Sequence, residues 1–207
     1  MSSLLIGFLA ILLVPLFAAS WRVSLLGLAL QGCVLGWISL RLRAPVSVAD
    51  RLALMDLIVI RGLVAPILLF QSFAVRGVSR RNDVIPSNLF AWILVGAFVF
   101  VSFRFAAVAL RTEVAEALPL ATATLALLLG FFVLSSQSSM FSQIVGLLRV
   151  ENAVVLFELM SPHRLPLAIQ AGVSAVFLVT VLLSTWFLRQ DPPAASEAPP
   201  AEEGPTL

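Results

Sequence analysis

The chain contains no lysine and no tyrosine, one cysteine, one histidine, and little charge of either sign: 12% of its 207 residues are charged. Each shortage excludes something. Cys33 alone cannot form an internal disulfide or a cysteine-cluster site, and as a small residue in an apolar stretch it is expected in the core. His163, in the turn Ser161-Pro162-His163-Arg164, cannot by itself build a multi-histidine metal or haem site and reads as a solvated loop residue. A water-soluble domain carries roughly twice this share of charge, so the chain lacks the polar surface needed to coat a globule in water. The clustered basic surface of a nucleic-acid binder is missing too. So are a phosphate-cradling glycine loop, a catalytic triad and a metal-ligand cluster, which leaves no equipment for bond-making chemistry and implies no cofactor.

What is present is apolar. Sixty per cent of the residues are hydrophobic and the mean hydropathy is +1.06. Seven long apolar runs follow one another, at about 3–20, 25–40, 52–75, 88–110, 114–134, 141–160 and 165–188, each near the roughly 20 residues that span a bilayer as a helix. Water is absent from the hydrocarbon layer, so each run must satisfy its own backbone hydrogen bonds, and a helix does so. The alternation of an outer-membrane barrel is missing. The expected fold is an all-α integral membrane protein, a bundle of about seven transmembrane helices over residues 1–190. The first run lacks a positive n-region and reads as a retained helix rather than a signal peptide. Residues 191–207, rich in Pro, Ala and Glu, are expected to form a disordered tail.

Residues 1–190 hold all thirteen arginines against seven acids, a net +6, which belongs at lipid headgroups. The tail holds Asp191, Glu197, Glu202 and Glu203. With seven spans, Arg22, Arg76, Arg80, Arg81 and Arg189 share the side of the C-terminus, and Arg41, Arg43, Arg51, Arg111 and Arg164 share the other. Charge alone leaves the orientation tied.

Ionisable residues inside the hydrocarbon layer are costly and face a bundle interior, a partner or a water path. Asp56 and Arg61 in the third run, Arg104 in the fourth, and Glu151 and Glu158 in the sixth, accompanied by Arg149, are therefore the site candidates. Glu151 and Glu158 are seven residues apart, about 10 Å along one helix face, where two carboxylates can pass protons through water or a partner side chain. Glu158 either belongs to such a path or, near the helix end, reaches the interface. Glu151 is nearer mid-span, with Asn152 or an arginine as local partner. Asp56 and Arg61, five apart, point about 140° away from each other on an α-helix and do not form a one-face pair. Arg61 precedes Gly62 and Pro66, which suggest a close helix contact and a kink. It either holds a neighbouring carboxylate ionised or belongs to a structural interhelical ion pair. Arg104 is close enough to an end to snorkel. Gln31, Gln143 and Gln170 are neutral interhelical hydrogen-bond candidates.

The stretch Ser142-Gln143-Ile144-Val145-Gly146-Leu147-Leu148-Arg149-Val150-Glu151-Asn152-Ala153 resembles the signature of the hydrogenase-4 component E (HyfE) family, in which Gln-x-x-Gly leads into a Met-Glu-Asn-Gly-like motif. Pro166 and Gly172 match the next landmarks in spacing. Ile60-Arg61-Gly62-Leu63-Val64-Ala65-Pro66 is similar to the family's segment with a basic residue before a proline, with arginine where lysine is usual. The resemblance covers most of residues 20–190. It implies that the last three helices are like the K subunit (NuoK) of respiratory complex I and that Glu151 is the motif glutamate. It also implies a bacterial inner-membrane location with the C-terminus in the cytoplasm. The implied partners are antiporter-like and other membrane-arm subunits, besides the lipid bilayer. Where the family carries acids in the last helix, this chain has Gln170 and Val176; Glu158 is an extra carboxylate able to replace one of them.

The expected function is that of a membrane-arm subunit, not an enzyme on its own, in a hydrogenase-4-like or complex I-like oxidoreductase complex. It would help couple redox chemistry to proton translocation through Glu151, Glu158, Arg61 and Asp56, supported by Asn152, Arg149, Gln143 and Gln170. The alternatives are a structural, non-conducting subunit of such a complex and an independent small-solute or ion transporter, against which stands the absence of an internal inverted repeat.

Overall fold

The computed structural model describes residues 2–17, 20–42, 47–74, 89–111, 114–137, 139–160 and 166–190. The expected tail at 191–207 and the turn holding His163 lie outside them. The described residues form helices and no strand: α1 (Ser2–Phe17), α2 (Trp21–Leu42), α3 (Val48–Met55), a π-helical segment (Asp56–Val64), α4 (Ala65–Ala74), α5 (Leu89–Leu110), α6 (Val114–Ser136), α7 (Met140–Met160) and α8 (Leu167–Gln190). α3, the π segment and α4 run on as one rod, so the described residues hold six helical stretches long and apolar enough to cross a membrane. The protein is thus an all-helical, multi-pass membrane protein. α1 has 16 described residues, about 24 Å of helix.

α1 packs on α2, α2 on the third rod, α5 on α6, α6 on α7 and α7 on α8, and α2 also packs on α7, α1 on α6, and α4 on α8. Small residues make the closest approaches. A Cβ built on Gly32 of α2 would lie 2.5 Å from the backbone nitrogen of Gly62 in the π segment, and one on Gly36 would meet Ile58 at the same distance. Gly130 of α6 abuts Val150 of α7 in the same way. Lipid tails are as apolar as leucine, so helices associate in a bilayer through such backbone proximity and van der Waals contact. The expected glycine-mediated contact at Gly62 is therefore present.

Aromatic residues hold one end of the bundle. Trp21 at the start of α2 lies 5.1 Å from Phe73 of α4, whose ring is 4.4 Å from Phe141 of α7. Arg22 stacks on Trp21 and, at the far end of α2, Arg41 lies over Trp37; both arginines are exposed, as suits the headgroup layer. At that far end α3 begins with a capping box. The Ser47 hydroxyl oxygen accepts from the Asp50 backbone N–H at 3.1 Å, and Asp50 Oδ2 accepts from the Ser47 N–H at 3.2 Å, so two otherwise unpaired helix-end donors are satisfied reciprocally.

Cys33 corrects an expectation. It is exposed on α2 rather than buried, although its Sγ borders Gly62 of the π segment. Arg104 is exposed near the end of α5, consistent with snorkelling.

Candidate functional site

The π segment creates the site. The Ala65 N–H donates to the Ile60 carbonyl, five residues back, and Pro66 has no N–H with which to continue an α ladder. In the wider i→i+5 register a turn takes more residues than in an α-helix, so residues five apart return closer to the same face. Asp56 and Arg61, which α geometry would turn well apart, therefore return to one face. Arg61 Nε donates to Asp56 Oδ2 at 3.0 Å in an ion pair whose guanidinium side is 0% exposed. The α-helical expectation for this pair was wrong, and the irregularity suspected at Gly62 and Pro66 takes the form of this π stretch.

Arg61 then reaches two other helices. Its Nη1 donates to Asn152 Oδ1 of α7 at 3.2 Å, and its Cζ lies 4.0 Å from the ring centroid of Phe177 on α8. A guanidinium over an aromatic face gains about 2 kcal/mol when desolvated. Nη2 of Arg61, Oδ1 of Asp56 and Nδ2 of Asn152 are buried with no hydrogen-bond partner.

Glu151 and Glu158 both turn toward α8, as their seven-residue spacing predicts. Thr180 donates its hydroxyl to Glu151 Oε1 at 3.1 Å, while Glu151 Oε2 is buried without a partner. Gln170 Nε2 donates to Glu158 Oε1 at 3.2 Å. The partner of Glu151 is thus Thr180 rather than Asn152, whose side chain goes to Arg61. Glu158, half-buried in the last turn of α7, is thus bound to α8 at the bundle end.

Two openings flank the cluster. A groove of about 460 Å³ between α7 and α8 is lined by Arg61, Glu151, Val150, Val154, Ile169 and Val176. A smaller pocket of about 40 Å³, lined by Asp50, Asp56, Glu158 and Gln170 among others, lies at the bundle end where α2 and α7 stop and α3 and α8 start. Val173 lines both.

Asp56, Arg61, Asn152, Glu151, Glu158 and Gln170 are thus joined into one group by hydrogen bonds and shared pocket walls. Two of the sequence candidates lie outside it. Arg149 is buried, 2% exposed, but stands about 200° round α7 from Glu151. Gln143 is exposed at the start of α7, and its Nε2 donates to the Gln137 carbonyl at 3.2 Å, a local contact. Gln31 is buried in α2 with neither side-chain polar atom hydrogen-bonded. Thr180 and Phe177 were not anticipated; a threonine and a phenylalanine in an apolar helix carry no signal of their own. Among the described residues no group of three His, Cys, Asp or Glu side chains is arranged to hold a metal ion.

No protein-family model, curated protein or solved structure matches the chain.

Proposed function

We propose that the chain is a non-catalytic membrane-arm subunit of a hydrogenase-4-like or complex I-like energy-converting assembly, in which the Asp56–Arg61–Glu151 group handles protons. One observation carries this reading: a guanidinium with no exposed surface, bound by one carboxylate and bordering the same groove as a second, inside an apolar bundle. Burying an ion costs several kcal/mol even after relaxation, and ionisable groups kept inside membranes mark ion pathways and proton relays. One arginine cannot neutralise both Asp56 and Glu151. The group is neutral when one of the two carries a proton. A proton arriving at one carboxylate as another leaves the second then moves Arg61's counter-ion without burying net charge.

Arg61 and Glu151 are also the two charged positions through which the chain resembles the hydrogenase-4 component E family. That resemblance favours antiporter-like partners, a bacterial inner-membrane location and a cytoplasmic C-terminus. The extra carboxylate Glu158 is hydrogen-bonded to Gln170, the position at which the family carries an acid, which favours Glu158 as its replacement. A second reading has its own support: Arg61 ties the π segment to α7 and α8, as a clamp in a non-conducting subunit would.

The test of assembly is a mild-detergent pull-down of the tagged chain from its native membrane with mass spectrometry. Antiporter-like and complex I-like subunits in fixed ratio are expected. A chain that purifies alone, or only with itself, would reject the membrane-arm reading.

A further inference from the structure

The small pocket beside Asp56 differs from an ordinary packing defect in three ways. Its walls are only partly apolar, with Ser39, Asp50, Asp56, Glu158, Gln170 and Ser174 among them. It has the right size: a water needs about 10–15 Å³ of such volume and two to four polar partners, and the pocket measures about 40 Å³. It also holds an unsatisfied group. Asp56 is 9% exposed, and its Oδ1 has no partner although Oδ2 is bound to Arg61. A buried carboxylate oxygen with an empty lone pair next to a partly polar pocket is where ordered water goes.

The position of the pocket gives it a direction. Ser39 lies in the last turn of α2, Asp50 in the first turn of α3, Glu158 in the last turn of α7 and Gln170 in the first turn of α8. All four helix ends lie at the membrane face opposite Gln190. Asp56 and Ser174 lie deeper. The walls therefore lead from one face inward to the ion pair.

We infer that this pocket is a one-sided water entry: a chain of about three waters joins the membrane face opposite the C-terminal end of α8 to Asp56, with Glu158 at its mouth. A proton taken up by the Glu158 carboxylate from that face passes to a neighbouring water, which gives up one of its own to the next, and the last water gives one to the Asp56 carboxylate. Glu158 and each water return to their starting composition, Asp56 holds the proton gained, and no redox partner is needed. The charged groups facing the path are Asp50 from α3, Asp56 and Arg61 from the π segment and Glu158 from α7; α8 contributes the neutral Gln170 and Ser174. The purpose of the path rests on the proton-handling reading proposed above, but its existence and sidedness are measured without it.

The experiment uses the full chain in native membranes, with Cys33→Ser as background and Ser174→Cys as reporter. Sealed vesicles of both orientations are exposed to silver ion, a thiol reagent close to water in size, and loss of free thiol is followed. Cys33→Ser with Ser102→Cys, a fully buried position outside the pocket, is the unreactive control. The expected result is fast reaction at position 174 from the face opposite the C-terminus only. Adding Ser39→Leu, which fills the mouth, should slow it at least tenfold. Reaction from neither face, from both faces equally, or only from the C-terminal face would overturn the inference. Failure of the pull-down with one-sided reaction intact would sink the membrane-arm reading and leave the water entry standing. Partners recovered without any reaction at position 174 would do the reverse.

Discussion

Removing one member of the Asp56–Arg61 pair should be far more damaging than removing both. Taking away one partner of a buried pair leaves an uncompensated charge and costs about 3–5 kcal/mol, whereas replacing both with apolar residues is near neutral or stabilising. Asp56→Leu leaves Arg61 with only Asn152 and the Phe177 ring. Arg61→Met leaves Asp56 with no partner and also removes those two contacts, so it should be the costlier change, by about 2 kcal/mol for the aromatic contact alone. Independent effects would sum in the double variant to about 6–10 kcal/mol. The double Asp56→Leu, Arg61→Met should instead lose less than about 2 kcal/mol, leaving a coupling of several kcal/mol. The assay is reversible unfolding in mixed micelles titrated with sodium dodecyl sulfate and followed by tryptophan fluorescence. A 3 kcal/mol loss shifts the unfolding constant by about two decades, well within its range. Additive single effects, or single losses below about 1 kcal/mol, would refute the claim that the pair is buried and mutually dependent. A near-neutral double variant that has lost function would separate the pair's use from its contribution to stability.

Gly32→Ala places a methyl 2.5 Å from the Gly62 backbone and should cost about 1–3 kcal/mol as overpacking, whereas Gly172→Ala, with nothing within 4 Å, should stay within about 0.5 kcal/mol; equal losses would contradict the close α2–π contact. Thr180→Val removes the hydroxyl donor to Glu151. It should shift the Glu151 carboxyl band in the infrared difference spectrum against Glu151→Gln while changing stability by only about 1 kcal/mol; an unmoved band would show that the bond is not made in the membrane. Gln170→Leu should likewise perturb Glu158 and leave the Glu151 band in place, since the two carboxylates have separate donors on α8.

The spans were legible because uniform apolar runs in a solvent without water leave the backbone little choice but helix. The shared face of Glu151 and Glu158 was legible for a similar reason: α7 is regular, and seven residues on a regular helix return nearly to the start. Asp56 and Arg61 were individually conspicuous, yet their pairing was hidden because residues five apart diverge in an α register, whereas the chain runs in π there. The one sequence signal for that register is Pro66, whose missing N–H breaks the ladder just beyond Arg61. The contacts of Arg61 with Asn152 and Phe177, and of Glu151 with Thr180, depend on how α7 and α8 lie against the third span, and no spacing along the chain encodes that. Cys33 was misplaced because apolar neighbours do not say which face of a membrane helix looks outward; the adjacent Gly32 and Gly36, spaced to face a neighbouring helix, were the better guide.

The central claim is that Glu151 carries a titratable proton used by a larger assembly. Its most direct test is redox-driven proton movement in vesicles containing the assembly with Glu151→Gln, which keeps size and hydrogen bonding and removes the exchangeable charge. The account predicts an assembly of unchanged composition whose proton translocation is lost. Translocation at the unsubstituted rate in that variant would contradict it.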